Sequence, residues 1–448
     1  MAGHVTPYSR DVSGANAGEV RAIVGGTIGN LVEYFDWYVY SSAAIYFAPV
    51  FFPKADATAQ LMSAALVFAI GFLMRPIGAW YFGRMADRVG RRVALTRSVL
   101  VMAAGSVLIA VTPGYERMGL AAPAVLLLAR MAQGLSLGGE YGASATFLSE
   151  SASRERRGFW SSFIYVSVIL GQLLAVTSLV VLHRAVGEAA LNEWAFRVPF
   201  VLGAGAALVA LWLRTSLEET AAFKAAGAQQ NRGTLAELLR HPREFFTVVG
   251  LTLGGTVAFY TCTTYMQKFL VNTVGFSKDT ANLLATGSLL WFMVLQPAFG
   301  ALSDRVGRRR VLLSFGVLGF VGFAPLLFVL SQTRSEWVAL VCLLAMLTIV
   351  SGYTSVNAIV KAELFPAHVR ALGVALPYAL TLSLFGGTTE YFALWLKQSG
   401  LEPWFFVYVS LTAGTSAVVY WLMPDTRESS RIDRDAATRS CTAGQVPD

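Results

Sequence analysis

Apolar runs of about twenty residues, each ended by charges, glycine or proline, follow one another along nearly the whole chain. A helix of that length crosses the hydrocarbon core of a bilayer. The pattern predicts twelve spans, at roughly 20 to 48, 59 to 83, 93 to 112, 121 to 148, 158 to 182, 195 to 213, 245 to 274, 280 to 302, 311 to 330, 337 to 360, 371 to 396 and 402 to 423. Six fall on either side of a polar stretch that holds Glu218, Glu219, Gln229, Gln230 and Asn231. The expected fold class is therefore an all-α membrane protein, with twelve transmembrane helices in two six-helix halves. The expected division is a cytosolic leader over 1–19, bundles over 20–213 and 245–423, a cytosolic linker over 214–244 and a polar, mobile cytosolic tail over 424–448.

A repeat sharpens this division. Gly83-Arg84-Met85-Ala86-Asp87-Arg88-Val89-Gly90-Arg91-Arg92 returns as Gly300-Ala301-Leu302-Ser303-Asp304-Arg305-Val306-Gly307-Arg308-Arg309, with Asp87 and Asp304 separated by 217 positions. Each copy follows the second span of its half, as expected of a duplicated transporter unit. A second pair matches as well, Glu150 to Arg157 and Glu363 to Arg370, each seven residues apart. Such charges can pair in one conformation and part in another, so Asp87, Arg91, Asp304, Arg308, Glu150, Arg157, Glu363 and Arg370 are read as gating residues.

Composition agrees, with 55% hydrophobic and 14% charged residues, and the net charge of +8 is mostly a topology signal. Of the 35 Lys and Arg, 19, Lys361 and Arg370 among them, are assigned to loops on the side of the N-terminus and seven to the other side. Positive loops face the cytosol, which places both termini there and gives no reason to expect nucleic acid as a partner. The N-terminal residues lack the charged start and apolar core of a secretory signal. Cys262, Cys342 and Cys441 form no ligand or disulfide pattern, so neither metal nor cofactor is expected. No arrangement of nucleophile, base and oxyanion donors, and no nucleotide loop, suggests an enzyme.

Few charges remain inside the spans: Arg75, Arg130 and Lys268, with Glu33, Asp36, Glu140 and Glu390. An unpaired charge at mid-bilayer costs about 2.5–3.5 kcal/mol on insertion scales, so these should face the bundle interior, paired or ready for a charged ligand. Arg130, Gln133, Leu137 and Tyr141 form one helical stripe, with Glu140 adjacent. Asn30, Glu33, Trp37 and Tyr40 form another, with Asp36 on its flank. Later spans add Tyr165, Gln172, Tyr260 and Tyr378 among other hydrogen-bonding groups. A cavity lined by cations and donors suits a small organic anion. Arg130, Arg75, Lys268, Gln133, Tyr260, Gln172 and Tyr378 are the expected substrate ligands. Asp36, Glu33 and Glu140, in that order, are the candidates for carrying a proton. Structural roles stay open for Arg130 and Glu140, which could neutralise one another or a neighbouring helix, for Arg75, which precedes Pro76, and for Lys268 and Glu390, which are close enough to a span end to snorkel.

The paired Gly-x-x-x-Asp-Arg-x-Gly-Arg-Arg segments, with Arg130-x-x-Gln133-Gly134, resemble the major facilitator superfamily. Gly29 to Asp36, Gly71 to Gly78, Gly138 to Gly142 and Trp194 to Phe200 are similar to its metabolite:proton symporter branch. Phe259-Tyr260, Thr263 to Lys268, Phe365 to Ala367 and Phe385 to Gly387 are most similar to that branch's 2-oxoglutarate importers. The resemblance implies import of 2-oxoglutarate, or a closely related dicarboxylate, with protons across the bacterial inner membrane by alternating access. It also marks Arg91 and Arg197 as important, and the surface position expected of Arg197 suits gating or an entrance contact. The alternatives are the same fold carrying 3-oxoadipate, succinate, citrate or shikimate, or a metabolite receptor that does not transport. The expected partners are dicarboxylate, protons and the bilayer, with no obligate protein partner.

Overall fold

A computed structural model describes residues 17–434 apart from 54–55, 90, 139–140, 142–144, 147, 150–151, 216–233 and 367–368. At 17–29, 83–84, 86–89, 91–95 and 210–215 it describes the backbone alone. Twelve helical spans follow in order: α1 (Ala17–Phe51), α2 (Ala57–Val89), α3 (Arg91–Val111), α4 (Ala121–Leu137), α5 (Arg154–Glu193), α6 (Val198–Thr215), α7 (Pro242–Val274), α8 (Lys278–Val306), α9 (Arg308–Gln332), α10 (Glu336–Leu364), α11 (Arg370–Gln398) and α12 (Glu402–Leu422). Among the described residues, eight are long and apolar enough to cross a membrane, and α3, α4 and α6 contain shorter apolar stretches. The remaining span, α1, is 35 residues long. Trp80, Phe246, Val321, Trp337 and Trp421 are exposed on the outer surface, where the surrounding medium is lipid.

The helices outrun their apolar stretches. Helix α5 continues to Glu193, past the expected end at 182, through a turn at Gly187 with φ +84°. Helix α10 carries Lys361 and Glu363 within its last turns, and α2 runs on to Val89 inside the first motif copy. Hydropathy marks where a helix leaves the hydrocarbon, whereas backbone hydrogen bonding goes on into the polar interface. Helix α7 contains wide π turns at Thr261–Tyr265 and Leu270–Val274, and α11 one at Leu382–Gly386. These turns bracket Lys268 and precede Glu390. Each inserts a residue into the helical register and re-aims the side chains that follow.

Both halves pack by one plan. In the first, α1 lies on α5, α2 on α4 and α3 on α6; in the second, α7 lies on α11, α8 on α10 and α9 on α12. The halves meet through α2 against α11 and α5 against α8, again as a symmetric pair. Glycine makes the α2–α4 contact possible. A Cβ on Gly134 would lie 1.9 Å from the Gly71 carbonyl oxygen, and one on Gly138 2.0 Å from that of Arg75. Small residues of this kind bring membrane helices into backbone contact.

Residues 424–434, the described part of the expected tail, are held against both halves, and 435–448 lie outside the described residues. Asp425 accepts the backbone N–H groups of Arg308 and Arg309 at the start of α9, and Thr426 donates to Glu363 at 2.6 Å. Asp433 reaches Arg154 and Arg157 of the first half at 3.1 and 3.0 Å. The polar side chains that make this stretch look solvated are the ones that tie it down.

Candidate functional site

Between the halves lies a small cavity lined by Tyr34, Tyr38 and Tyr165 of the first half and Thr256, Phe259, Tyr260 and Tyr378 of the second. Arg75 is linked to this wall through Phe72, whose ring meets that of Tyr260 edge-on at 5.2 Å. The Arg75 guanidinium lies 4.4 Å from the Trp37 ring centre and 4.2 Å from that of Phe72. Arg130, fully buried, packs on the same indole at 3.9 Å and on Tyr40 at 4.5 Å. The Nε and Nη2 groups of both arginines are buried without a hydrogen-bond acceptor. Aromatic faces stabilise a guanidinium by about 0.5–2 kcal/mol, which does not replace lost hydrogen bonds.

The Arg130 side chain anchors a relay within the first half. Its Nη1 donates to Gln133 Oε1 at 2.6 Å, and Gln133 Nε2 donates to Asp36 Oδ2 at 2.8 Å and to Ser106 Oγ at 2.7 Å. Ser106 in turn donates to the Asp36 carboxylate. Asp36 lies against Gly203 of α6, so it faces the core of its own bundle and is joined to Arg130 through Gln133. Two guanidinium charges therefore share one indole, with one carboxylate of this relay removed from them by a glutamine. An anion is the ligand such a surplus favours.

Lys268 lies elsewhere. Its ammonium group pairs with Glu390 at 2.9 Å and donates to Ser41 of α1 at 2.9 Å, with both charged groups buried. This expected substrate cation is neutralised by an acid read only as a snorkelling candidate. A different lysine, Lys361, counted from the sequence among loop charges, is fully buried. Its Nζ donates to Asn357 Oδ1 at 2.9 Å and sits 3.7 Å from the centre of the Tyr378 ring. Tyr141 donates to the same Asn357 oxygen at 3.0 Å and stacks on Tyr378 at 4.1 Å. The sequence signal for it was helical: Tyr353, Asn357 and Lys361 recur every four residues, one stripe into the bundle. Gln172 is buried with its Oε1 unpaired, and Glu33 is buried on α1. Glu140 and Glu150 lie outside the described residues, as do the side chains of Asp87 and Arg91.

The halves touch at both ends of the cavity. At the end carrying the repeated motif, Asp304 accepts the backbone N–H of Gly158 at 2.8 Å and of Phe159 at 2.9 Å, and Arg308 at 2.7 Å. Glu363 lies 4.0 Å from Arg157 and 3.9 Å from Arg308. A Cβ on Gly158 would meet the Gly300 carbonyl oxygen at 2.7 Å, so the backbones are in direct contact. At the opposite end, Asn272 donates to Thr58 at 3.0 Å, Asn282 to Tyr46 at 2.8 Å and Lys278 to Asn192 at 2.8 Å. Two more of the expected gating residues bond to nearby backbone carbonyls. Arg370 donates to the carbonyls of Ala362 and Phe365, which joins α10 to α11. Arg197 donates to those of Thr112 and Glu193 and stacks on Phe196, which ties the ends of α3, α5 and α6 together.

The family model of the Major Facilitator Superfamily matches residues 26–376 and 260–443. Alpha-ketoglutarate permease of Escherichia coli is 51% identical over 93% of this chain and 96% of its own. A citrate-proton symporter of Salmonella typhi is 33% identical over 94% of each chain. The proline/betaine transporter of Escherichia coli is 32% identical over 90% of this chain and 84% of its own. Among solved structures, the proton:xylose symporter XylE with 6-bromo-6-deoxy-D-glucose superposes with a TM-score of 0.76 at 20% identity. That match covers 94% of this chain and all of XylE.

Proposed function

The chain belongs to the major facilitator superfamily, as a multi-pass inner-membrane transporter, and we propose that it imports 2-oxoglutarate together with protons. The observation that carries this reading is the cationic site between the halves. Arg75 and Arg130 present buried, unpaired N–H donors on one shared indole, and Arg75 also packs on Phe72, whose ring meets that of Tyr260 in the wall of a tyrosine-lined cavity. A guanidinium holds a carboxylate with two parallel hydrogen bonds, and the tyrosines supply donors for further oxygens without adding charge. The likeness to a permease named for alpha-ketoglutarate, at 51% identity, supports this substrate over the citrate of a more distant relative.

Coupling follows from the relay. With Asp36 ionised, Gln133 is held toward it and the Arg130 guanidinium is held by Gln133. A proton on Asp36 removes that charge and lessens its hold on the relay, so Arg130 can turn to the entering carboxylate. Proton and anion thus favour one another's binding by mass action. The motif end is the cytosolic one in this reading, since the excess of Lys and Arg lies there. Its Asp304 contact and the opposite polar contacts would open in turn, each releasing the site to one side.

Labelled 2-oxoglutarate uptake into sealed proteoliposomes tests the assignment, with and without an inward proton gradient. Gradient-dependent accumulation displaced best by unlabelled 2-oxoglutarate, ahead of succinate, 3-oxoadipate, citrate and shikimate, is expected. Stronger displacement by citrate would transfer the assignment to that acid, and no accumulation of any of these acids would overturn the carboxylate reading.

A further inference from the structure

We propose that Lys361 is the second carboxylate anchor, and that its position across the cavity from Arg75 selects acids with a charge at both ends. This rests on the anion-transport reading and adds what sets the length and charge of the cargo. Lys361 is fully buried in α10, and its polar contacts are an amide oxygen and an aromatic face. No carboxylate among the described residues pairs with it, in contrast to Lys268, the other fully buried lysine, which has Glu390 at 2.9 Å. Taking an ammonium group out of water without a counter-ion costs several kcal/mol, and neither an amide oxygen nor a ring face recovers that. An arrangement of this kind is explained when a ligand brings the missing charge.

The surroundings of Lys361 lead to the cavity. Tyr378 lies under its ammonium group and also lines the cavity wall. Tyr378 stacks at 4.1 Å on Tyr141, which shares Asn357 with Lys361. At the far edge, Tyr260 belongs to the same wall and packs against Phe72 at 5.2 Å, on whose ring the Arg75 guanidinium sits at 4.2 Å. One cavity therefore has a cation of the first half behind Tyr260 and a cation of the second behind Tyr378. An acid bound at one end alone would leave the other cation desolvated and unpaired. A diacid satisfies both and draws the two halves together, because each anchor belongs to a different half. Sites built around buried polar groups reject analogues that lack the matching group far more strongly than apolar pockets reject a missing methylene.

The test compares 2-oxoglutarate with 2-oxopentanoate, which has the same carbon chain and keto group but one carboxylate, by calorimetric binding to purified protein in nanodiscs. Wild type is expected to prefer the diacid strongly. In Lys361→Met, 2-oxoglutarate binding should fall by roughly 30-fold or more, with 2-oxopentanoate little changed, as expected for loss of one member of a buried charge pair. Lys361→Arg should recover part of the preference. The methionine has a similar shape and removes a buried charge, and binding of 2-oxopentanoate certifies that the variant is folded. A Lys361→Met protein that keeps the wild-type preference, or that loses both acids equally, would overturn the proposal. If wild type does not bind 2-oxoglutarate, the substrate assignment fails on its own, and succinate against butyrate then decides the role of Lys361 in the same way.

Discussion

Asp304→Asn perturbs a contact that exists only when the motif ends of the two halves are together. One carboxylate oxygen accepts Gly158 N–H at 2.8 Å and Arg308 Nη1 at 2.7 Å, and the other accepts Phe159 N–H at 2.9 Å. An asparagine supplies one acceptor oxygen and one NH2 group. If the NH2 replaces the second oxygen, it faces Phe159 N–H donor to donor; if it replaces the first, Gly158 and Arg308 are stranded together. At least one partly buried N–H loses its acceptor, and the charge-assisted share of the remaining bonds is lost with it. Together these cost about 1.5–3 kcal/mol. That penalty falls on the closed motif end and shifts the conformational balance away from it by about 10- to 150-fold. Hydrogen exchange of the Gly158 and Phe159 amides in lipid nanodiscs reads it directly, because Asp304 is their acceptor. Exchange should accelerate about tenfold or more while amides within α12 are unaffected. Unchanged exchange at Gly158 and Phe159 would refute the view that Asp304 holds the halves together.

Three further substitutions probe the interior. Arg130→Gln should abolish 2-oxoglutarate uptake while the protein still reaches the membrane, and transport with unaltered affinity would remove Arg130 from the site. Asp36→Asn should still exchange labelled for unlabelled substrate but lose accumulation driven by a proton gradient; accumulation at the wild-type level would take the proton off Asp36. Lys268→Met and Glu390→Gln should each lower stability by about 3–5 kcal/mol, by leaving a buried charge alone. The double substitution should recover most of that loss in thermal unfolding, and additive losses would show that the pair is not coupled.

Much of this was legible in the sequence, for identifiable reasons. The duplicated motif and the twelve apolar runs gave the two halves, because bilayer thickness fixes span length and few loops break the pattern. Arg75, Arg130, Gln133 and Asp36 stood out because charge inside a span is rare and helical spacing showed which residues share a stripe. Lys361 was hidden by the same reasoning. A lysine near the end of a span reads as a loop charge, and only the continuation of α10 to Leu364 shows that it is buried. The Lys268–Glu390 pair was out of reach because its members come from α7 and α11, and spacing along one helix says nothing of facing helices. The contacts of residues 424–434 were not legible because composition cannot distinguish a polar segment that is solvated from one whose charges find partners, as Asp425 and Asp433 do.

The central claim is that a dicarboxylate and protons enter together. Proteoliposomes loaded with a pH-sensitive dye, given an inward gradient of 2-oxoglutarate and no initial proton gradient, test it most directly. The account predicts that the lumen acidifies as the acid enters, that both signals saturate together, and that Arg130→Gln abolishes both. Entry of 2-oxoglutarate with no acidification in sealed vesicles would contradict it.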